Sequence, residues 1–252
     1  MAGIQEIPEH VTERYMIKQF ANNFKDYEIP LGMEYNSIDK RVISCNDVFV
    51  QGFLGEKSVA RRKYIEYAVN RLLKNKEKNP VEIYLMDDPM GEFKNLSDKV
   101  DGYINSAEEV GNIINSVAAR LEERMKKSEA GELDLSKEPM LLILVNSSEL
   151  ANLIGKDTAI SIKYKLIAGK YKNLKVAFWL TNLTNEAITF SAGDLLRAVR
   201  DGKKLVAFED IKNIKVVDVS FTEQKEFKKA LDTYDAYFFN NDKIEKIRVV
   251  ED

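Results

Sequence analysis

The sequence is poor in the residues that most often carry chemistry. Its 252 residues include one cysteine, Cys45, one histidine, His10, and one tryptophan, Trp179. A single cysteine excludes an intramolecular disulfide and fits a reducing compartment. The one histidine lies in the polar N-terminal stretch, which argues against a Ser-His-Asp triad or a histidine-based metal site. Long apolar runs are missing too. MLLILV, Met140 to Val145, is among the longest, whereas a membrane helix needs roughly 20 such residues. The opening MAGIQEIPEH has no apolar core of the kind that marks a secretion signal. Basic surplus is absent: 38 Lys and Arg stand against 41 Asp and Glu, a net charge of -3. A general nucleic-acid binder would carry a phosphate-neutralising excess.

What is present is an alternation of apolar strands and amphipathic helices. Helices are expected over Glu13 to Phe24 and Ser58 to Lys76, the latter with Ile65, Val69, Leu72 and Leu73 on one face. Another is expected after a Ser106–Glu109 capping box, with an apolar stripe through Val110, Ile114, Val117 and Leu121. Residues 147–172 read as one or two helices, and SAGDLLRAVRDG as a helix capped by Ser191 that stops at Gly202. TEQKEFKKALDTYDAYFF reads as a last helix capped by Thr222 and carrying Tyr234, Tyr237, Phe238 and Phe239. Strands are expected at EIPLGMEYN, KRVISC, DVFVQG, VEIYLM, MLLILV, LKVAFWLT, KLVAF, IKVVDV and KIEKIRVV. Buried strands alternating with helices imply βαβ units: an α/β fold in three layers, with a mostly parallel sheet and helices on both faces. No Gly/Ser/Pro-rich linker divides the chain, which reads as a single domain. Ligands of such sheets bind at the carboxyl ends of the strands.

One strand-to-helix junction at that edge invites a phosphate reading. VFVQGFLGEKSVARRKY, Val48 to Tyr64, has the order strand, glycine-bearing turn, Lys-Ser, helix. A working P-loop reads G-x-x-x-x-G-K-S/T. Its glycines let backbone amides turn inward, its lysine reaches the phosphates and its hydroxyl holds magnesium. Anchored on Lys57 and Ser58, the pattern places Gln51 and Glu56 where the glycines belong, and Gly52 and Gly55 each fall one place off. A carboxylate at about 4 Å from a phosphate repels it by ~1 to 4 kcal/mol per charge pair. The magnesium side departs as well. An apolar strand should end in Asp, yet MLLILV ends in Asn146, followed by Ser147 and Ser148. Asn146 and Ser147 read more simply as a helix cap. Asp87 and Asp88 close another strand and fit turn chemistry equally well. The basic run Arg61-Arg62-Lys63, with Arg71, Lys74 and Lys76, reads as the solvent side of its helix, and Trp179 as core.

Taken in order, DVFVQG, the GEKS turn, VEIYLMD, SAEEVGNIINSVAARLEER and EPMLLILVN resemble the FtsK/SpoIIIE-type ATPase modules from about residue 27 onward. The likeness is nearest to the last cytoplasmic module of the EssC-type coupling ATPases of type VIIb secretion. It implies a P-loop NTPase (RecA-like) fold over residues 27–252, with 1–26 leading into it. It also implies a chain degenerate as an ATPase, in a cytoplasmic domain of a cell-membrane protein. Gly52, Gly55, Glu56, Lys57, Ser58 and Asn146 would then be a vestigial nucleotide site, with no catalytic residue and no metal ligand. Arg120 and Arg124 fall near the family's helix-end arginine, and as plain residues read as solvated flank charges. No cofactor is expected to bind tightly, ATP with magnesium only weakly. Expected partners are secreted type VII substrates, upstream ATPase modules of the same chain and a ring in the full protein. Nucleic acid is not expected, and a membrane only through the full-length protein. Two other readings compete. One is a slow or assembly-activated ATP hydrolase, since Lys57 and Ser58 survive. The other is a DNA translocase, which rests on the basic helix alone.

Overall fold

The computed structural model describes residues 6–189 and 191–252; the first five residues of the polar opening lie outside them. A ten-stranded sheet runs through the middle, in the order β2-β1-β10-β9-β8-β3-β7-β6-β4-β5. Its parallel part comprises β3 (Val50–Leu54), β4 (Val81–Met86), β5 (Gly102–Ile104), β6 (Met140–Val145), β7 (Val176–Leu183) and β8 (Leu205–Ala207). An antiparallel extension follows from β9 (Asp235–Asn240), β10 (Lys243–Val249), β1 (Glu28–Glu34) and β2 (Lys40–Ser44).

Both faces are covered, which is why the central strands are apolar without interruption. In β6, Leu141, Ile143 and Val145 point into one core cluster and Met140, Leu142 and Leu144 into the other. Helices α1 (Glu13–Gln19) and α2 (Val59–Lys74) cover the second cluster. Helices α3 (Val110–Glu129), α4 (Ser148–Lys156), α5 (Thr158–Leu166) and α6 (Asp194–Gly202) cover the first. The three layers expected from the alternation are present, and Trp179 is fully buried between strand and helix.

Several local expectations fail. The first helix stops at Gln19, and residues 21 and 22 take left-handed backbone that a helix cannot continue. Ser106 precedes a 3-10 turn, and its hydroxyl donates to Glu109 without capping a backbone amide. Ser191 does not cap α6; Gly193 holds that position. IKVVDV is not a strand. β8 already pairs with β3 and β9, so no sheet edge beside it is free, and Val216 and Val217 bury themselves without pairing. The expected last helix shrinks to α7 (Phe221–Glu226), capped by a Ser220–Glu223 box and not by Thr222. Its aromatic end is β9. There Tyr237 and Phe239 face one core cluster while Ala236 and Phe238 face the other, the period of two that a strand requires.

The α4–α6 contact depends on two glycines. A Cβ on Gly155 would lie 2.6 Å from the Asp194 amide nitrogen, and one on Gly193 would lie 2.8 Å from the Gly155 backbone. Asn152 Oδ1 accepts from the Gly193 amide at 2.9 Å and holds the two segments in that approach. Gly155→Ala must separate the helices. It is expected to lower stability by ~1 to 3 kcal/mol, as overpacking does, read as a lower urea midpoint with an unchanged slope.

Candidate functional site

The residues anchored as a phosphate loop do meet at the carboxyl edge of the sheet, in a short turn between β3 and α2. Strand β3 continues through Leu54 and α2 begins at Val59, so only Gly55, Glu56, Lys57 and Ser58 connect them. The four form a tight turn. Ser58 N donates to Gly55 O at 3.3 Å, and Lys57 sits in the left-handed region at φ 60°. Two further amides at this junction are committed within the protein. Gly55 N donates to Leu183 O at 3.1 Å, and the Arg61 amide donates to Ser58 Oγ at 3.2 Å. Ser58 therefore caps α2. Gly52 lies inside β3, where a Cβ would come within 2.6 Å of Val199 Cγ1 on α6; its missing side chain serves helix packing.

Behind the turn lies Arg61, fully buried. Its Nε donates to Gly55 O at 2.7 Å. Nη1 donates to Thr181 Oγ1 at 2.8 Å and Asn146 Oδ1 at 3.3 Å. Nη2 donates to Glu92 Oε1 at 2.6 Å and Asn182 Oδ1 at 3.4 Å. A guanidinium has five N–H donors, and each has an acceptor here. Burial draws the Arg61 side chain below its ordinary range, and the Glu92 carboxylate opposes that shift. These partners come from the ends of β3, β6 and β7 and from the loop after β4, so one side chain ties four strand ends together.

Asn146, also fully buried, bridges the acidic side of the same cluster. Its Nδ2 lies 2.9 Å from Asp87 Oδ1, 3.1 Å from Glu92 Oε2 and 3.3 Å from Asp88 Oδ2. Ser147, one residue on, caps α4 by accepting from Leu150 N. The cap expected of the pair thus belongs to Ser147 alone. Asp87 accepts in addition from the amides of Asp88 and Phe93 and from the Tyr103 hydroxyl at 2.9 Å. Burial raises its carboxyl above the ordinary range, against those hydrogen bonds. Among the described residues, no group of three or more His, Cys, Asp or Glu is arranged to hold a metal ion. Outside the Arg61 layer opens a cavity of about 590 Å³ lined by Glu56, Lys57, Val59, Arg62, Asp88 and Met90, among others. Met90 is 93% exposed there.

Arg61 corrects the reading of Arg61-Arg62-Lys63 as a solvated run. Arg62 and Lys63 are exposed, but Arg61 stands four residues before Ile65 and seven before Ala68, on the buried stripe of α2. That spacing was the available signal. Glu92, Thr181 and Asn182 carried only a faint one, polar residues at or just beyond the ends of apolar strands. Arg124 is corrected likewise. It is 2% exposed, and its guanidinium donates to Leu174 O and Pro139 O, both at 2.7 Å, and to Lys175 O. Arg120 stays half-exposed and pairs with Glu82.

No protein-family model matches this sequence, and no curated protein matches it. Solved structures do. The cytoplasmic domain of EssC superposes with a TM-score of 0.71 over 98% of this chain and 48% of its own, at 13% identity. EssC ATPases 2 and 3 from Geobacillus thermodenitrificans give 0.72 over 98% and 45%, at 13% identity. The conjugation coupling protein TcpA, solved with ATPgS, gives 0.68 over 99% and 72%, at 14% identity. The chain has the fold of an EssC-type ATPase module. It spans about half the length of the EssC structures it matches. The three-layer P-loop NTPase fold expected from the strand and helix order is thereby borne out.

Removing the buried guanidinium leaves the partly exposed Glu92 without its charge partner and orphans the acceptors at Gly55, Asn146 and Thr181, a loss of ~2 to 4 kcal/mol together. Arg61→Ala is therefore expected to lower the thermal midpoint strongly. Methylguanidinium at millimolar concentration should partly restore the midpoint of Arg61→Ala and leave the unsubstituted protein unchanged.

Proposed function

We propose that this chain is an ATPase-like module of a type VII secretion coupling protein that has given up nucleotide chemistry and serves substrate recognition and assembly. The observation that carries this reading is Arg61. A buried cation, paired with Glu92 and bonded to Asn146, sits behind the turn where a P-loop would turn its amides toward phosphates. Ser58 Oγ, the expected magnesium ligand, is committed to the α2 cap. Lys57 and Glu56 line the outer cavity. Gly52, Gly55, Glu56, Lys57, Ser58 and Asn146 are, in this reading, the remains of a nucleotide site, where ATP with magnesium binds weakly. Residues 27–252 form the ATPase-like unit and 1–26 lead into it.

Partners follow from the same likeness. Thermomonospora curvata EccC, matched with a TM-score of 0.65 at 9% identity over 99% of this chain and 44% of its own, was solved in complex with a signal sequence peptide. That supports secreted substrates as ligands. The paired ATPases of the EssC structure support neighbouring modules of one chain as further partners; a ring of the full-length protein is part of the same proposal. The module would then work on the cytoplasmic side of a membrane it reaches only through the rest of that protein. No helix among the described residues is long and apolar enough to cross a membrane.

Calorimetric titration with ATP and magnesium tests the central claim. The expected dissociation constant is no tighter than ~0.1 mM, about 5.5 kcal/mol of binding, with no phosphate release above the rate of Lys57→Ala. Tight binding that Lys57→Ala abolishes would overturn the reading in favour of an assembly-activated hydrolase.

A further inference from the structure

A second cavity, of about 380 Å³, opens at the amino edge of the sheet, away from the Arg61 cluster. Its floor is apolar. Tyr27 lies there with Met140 and Val176, the first residues of β6 and β7, and all three are buried. The Tyr27 hydroxyl donates to Pro80 O at 2.8 Å, so the ring is what faces the cavity. The rim is polar, with Asn46, Lys172, Asn173 and Lys175. Apolar walls with a few placed polar groups are the make-up of small-molecule sites.

Positive charge is in excess at this edge. Arg124, 2% exposed, is fixed by the carbonyls of Pro139, Leu174 and Lys175. Lys175 Nζ donates to Leu135 O at 2.9 Å and Glu138 O at 2.8 Å, and lies 5.1 Å from the Tyr27 ring centroid. Carbonyl dipoles solvate a cation without cancelling its charge, and a buried charge calls for an ionic partner. The Glu138 carboxylate lies 3.4 Å from Arg124 and is shared with Lys127 at 3.5 Å. Among the described residues, Lys175 makes no ion pair, and the Lys172 amine makes neither an ion pair nor a hydrogen bond. Asp26, the one acid on the lining, is engaged with Lys78 at 3.3 Å. Burial holds the Lys175 amine below its ordinary range; Arg124 adds to that shift and Glu138 opposes it.

We propose that this cavity binds the anion of a small organic acid, its carboxylate against the ammonium groups of Lys172 and Lys175 and its hydrocarbon part on Tyr27, Met140 and Val176. The anion supplies the countercharge that the lysines lack. The side-chain amides of Asn46 and Asn173, which make no hydrogen bond among the described residues, are available as further donors. An inorganic oxyanion would leave the apolar floor uncovered, and an organic cation would meet like charge. The site lies at the other edge of the sheet from the Gly55–Ser58 turn, so it stands whether or not ATP binds there.

Benzoate is the probe, titrated into the full chain and followed through the backbone amides by heteronuclear NMR. Benzylammonium and inorganic phosphate are the controls. Benzoate is expected to bind with a dissociation constant on the order of 1 mM and to weaken at least about threefold in 0.5 M NaCl. The amides of Asn46, Asn173 and Lys175 should shift together. Lys172→Glu should weaken benzoate by about tenfold or more; Lys172 is exposed, so the melting midpoint should hold. Lys172→Arg should retain binding. Equal shifts from benzylammonium, phosphate binding as tightly as benzoate, binding unchanged by Lys172→Glu, or shifts confined to residues away from this cavity would overturn the proposal.

Discussion

A guanidinium with no exposure to water needs an acceptor for every donor and a carboxylate for its charge, and Arg61 has both. Much of the carboxyl edge of the sheet follows from that requirement. The turn after β3 is short and closed, with the Gly55 carbonyl given to Arg61. The loop after β4 delivers Glu92 to the cluster. β6 ends in an amide, Asn146, whose oxygen can accept from the cation while its nitrogen faces Asp87, Asp88 and Glu92. An aspartate there would add a fourth carboxylate to a group that Arg61 already balances only in part. The closed turn at Gly55 and the amide at Asn146 are therefore coupled to one another through a single side chain.

The likeness to EssC-type ATPases concerns the scaffold, and at 13% identity it carries the order of strands and helices, not the chemistry between them. The parallel strands and the crossover helices bring the same sheet edge into being whether or not phosphate binds there. Even the glycines fit this view. Gly52 is needed because Val199 packs where its side chain would be, a constraint from the α6 layer that has no relation to a nucleotide.

Most strands and helices were legible in the residues, because two-sided burial makes unbroken apolar runs and one-sided burial makes a 3.6-residue stripe. The failures have a common cause. IKVVDV has strand-forming residues but no free edge to join. The aromatic run ending in Phe239 followed a helical segment in sequence, and only pairing with β8 and β10 makes it a strand. Arg61 looked like its basic neighbours because charge suggests solvent, although its spacing from Ile65 already put it on the buried stripe.

What the sequence determined alone was the three-layer plan, the position of the Gly55–Ser58 turn at the functional edge and the absence of the residues a working phosphate loop requires. Local pattern suffices for these, since periodicity and turn chemistry act between near neighbours. What only the tertiary structure decided was the fate of that edge. Arg61, Glu92, Asn146 and Thr181 are far apart in the chain, up to 120 positions between Arg61 and Thr181. Their meeting is set by which strands lie side by side, and no local pattern encodes that.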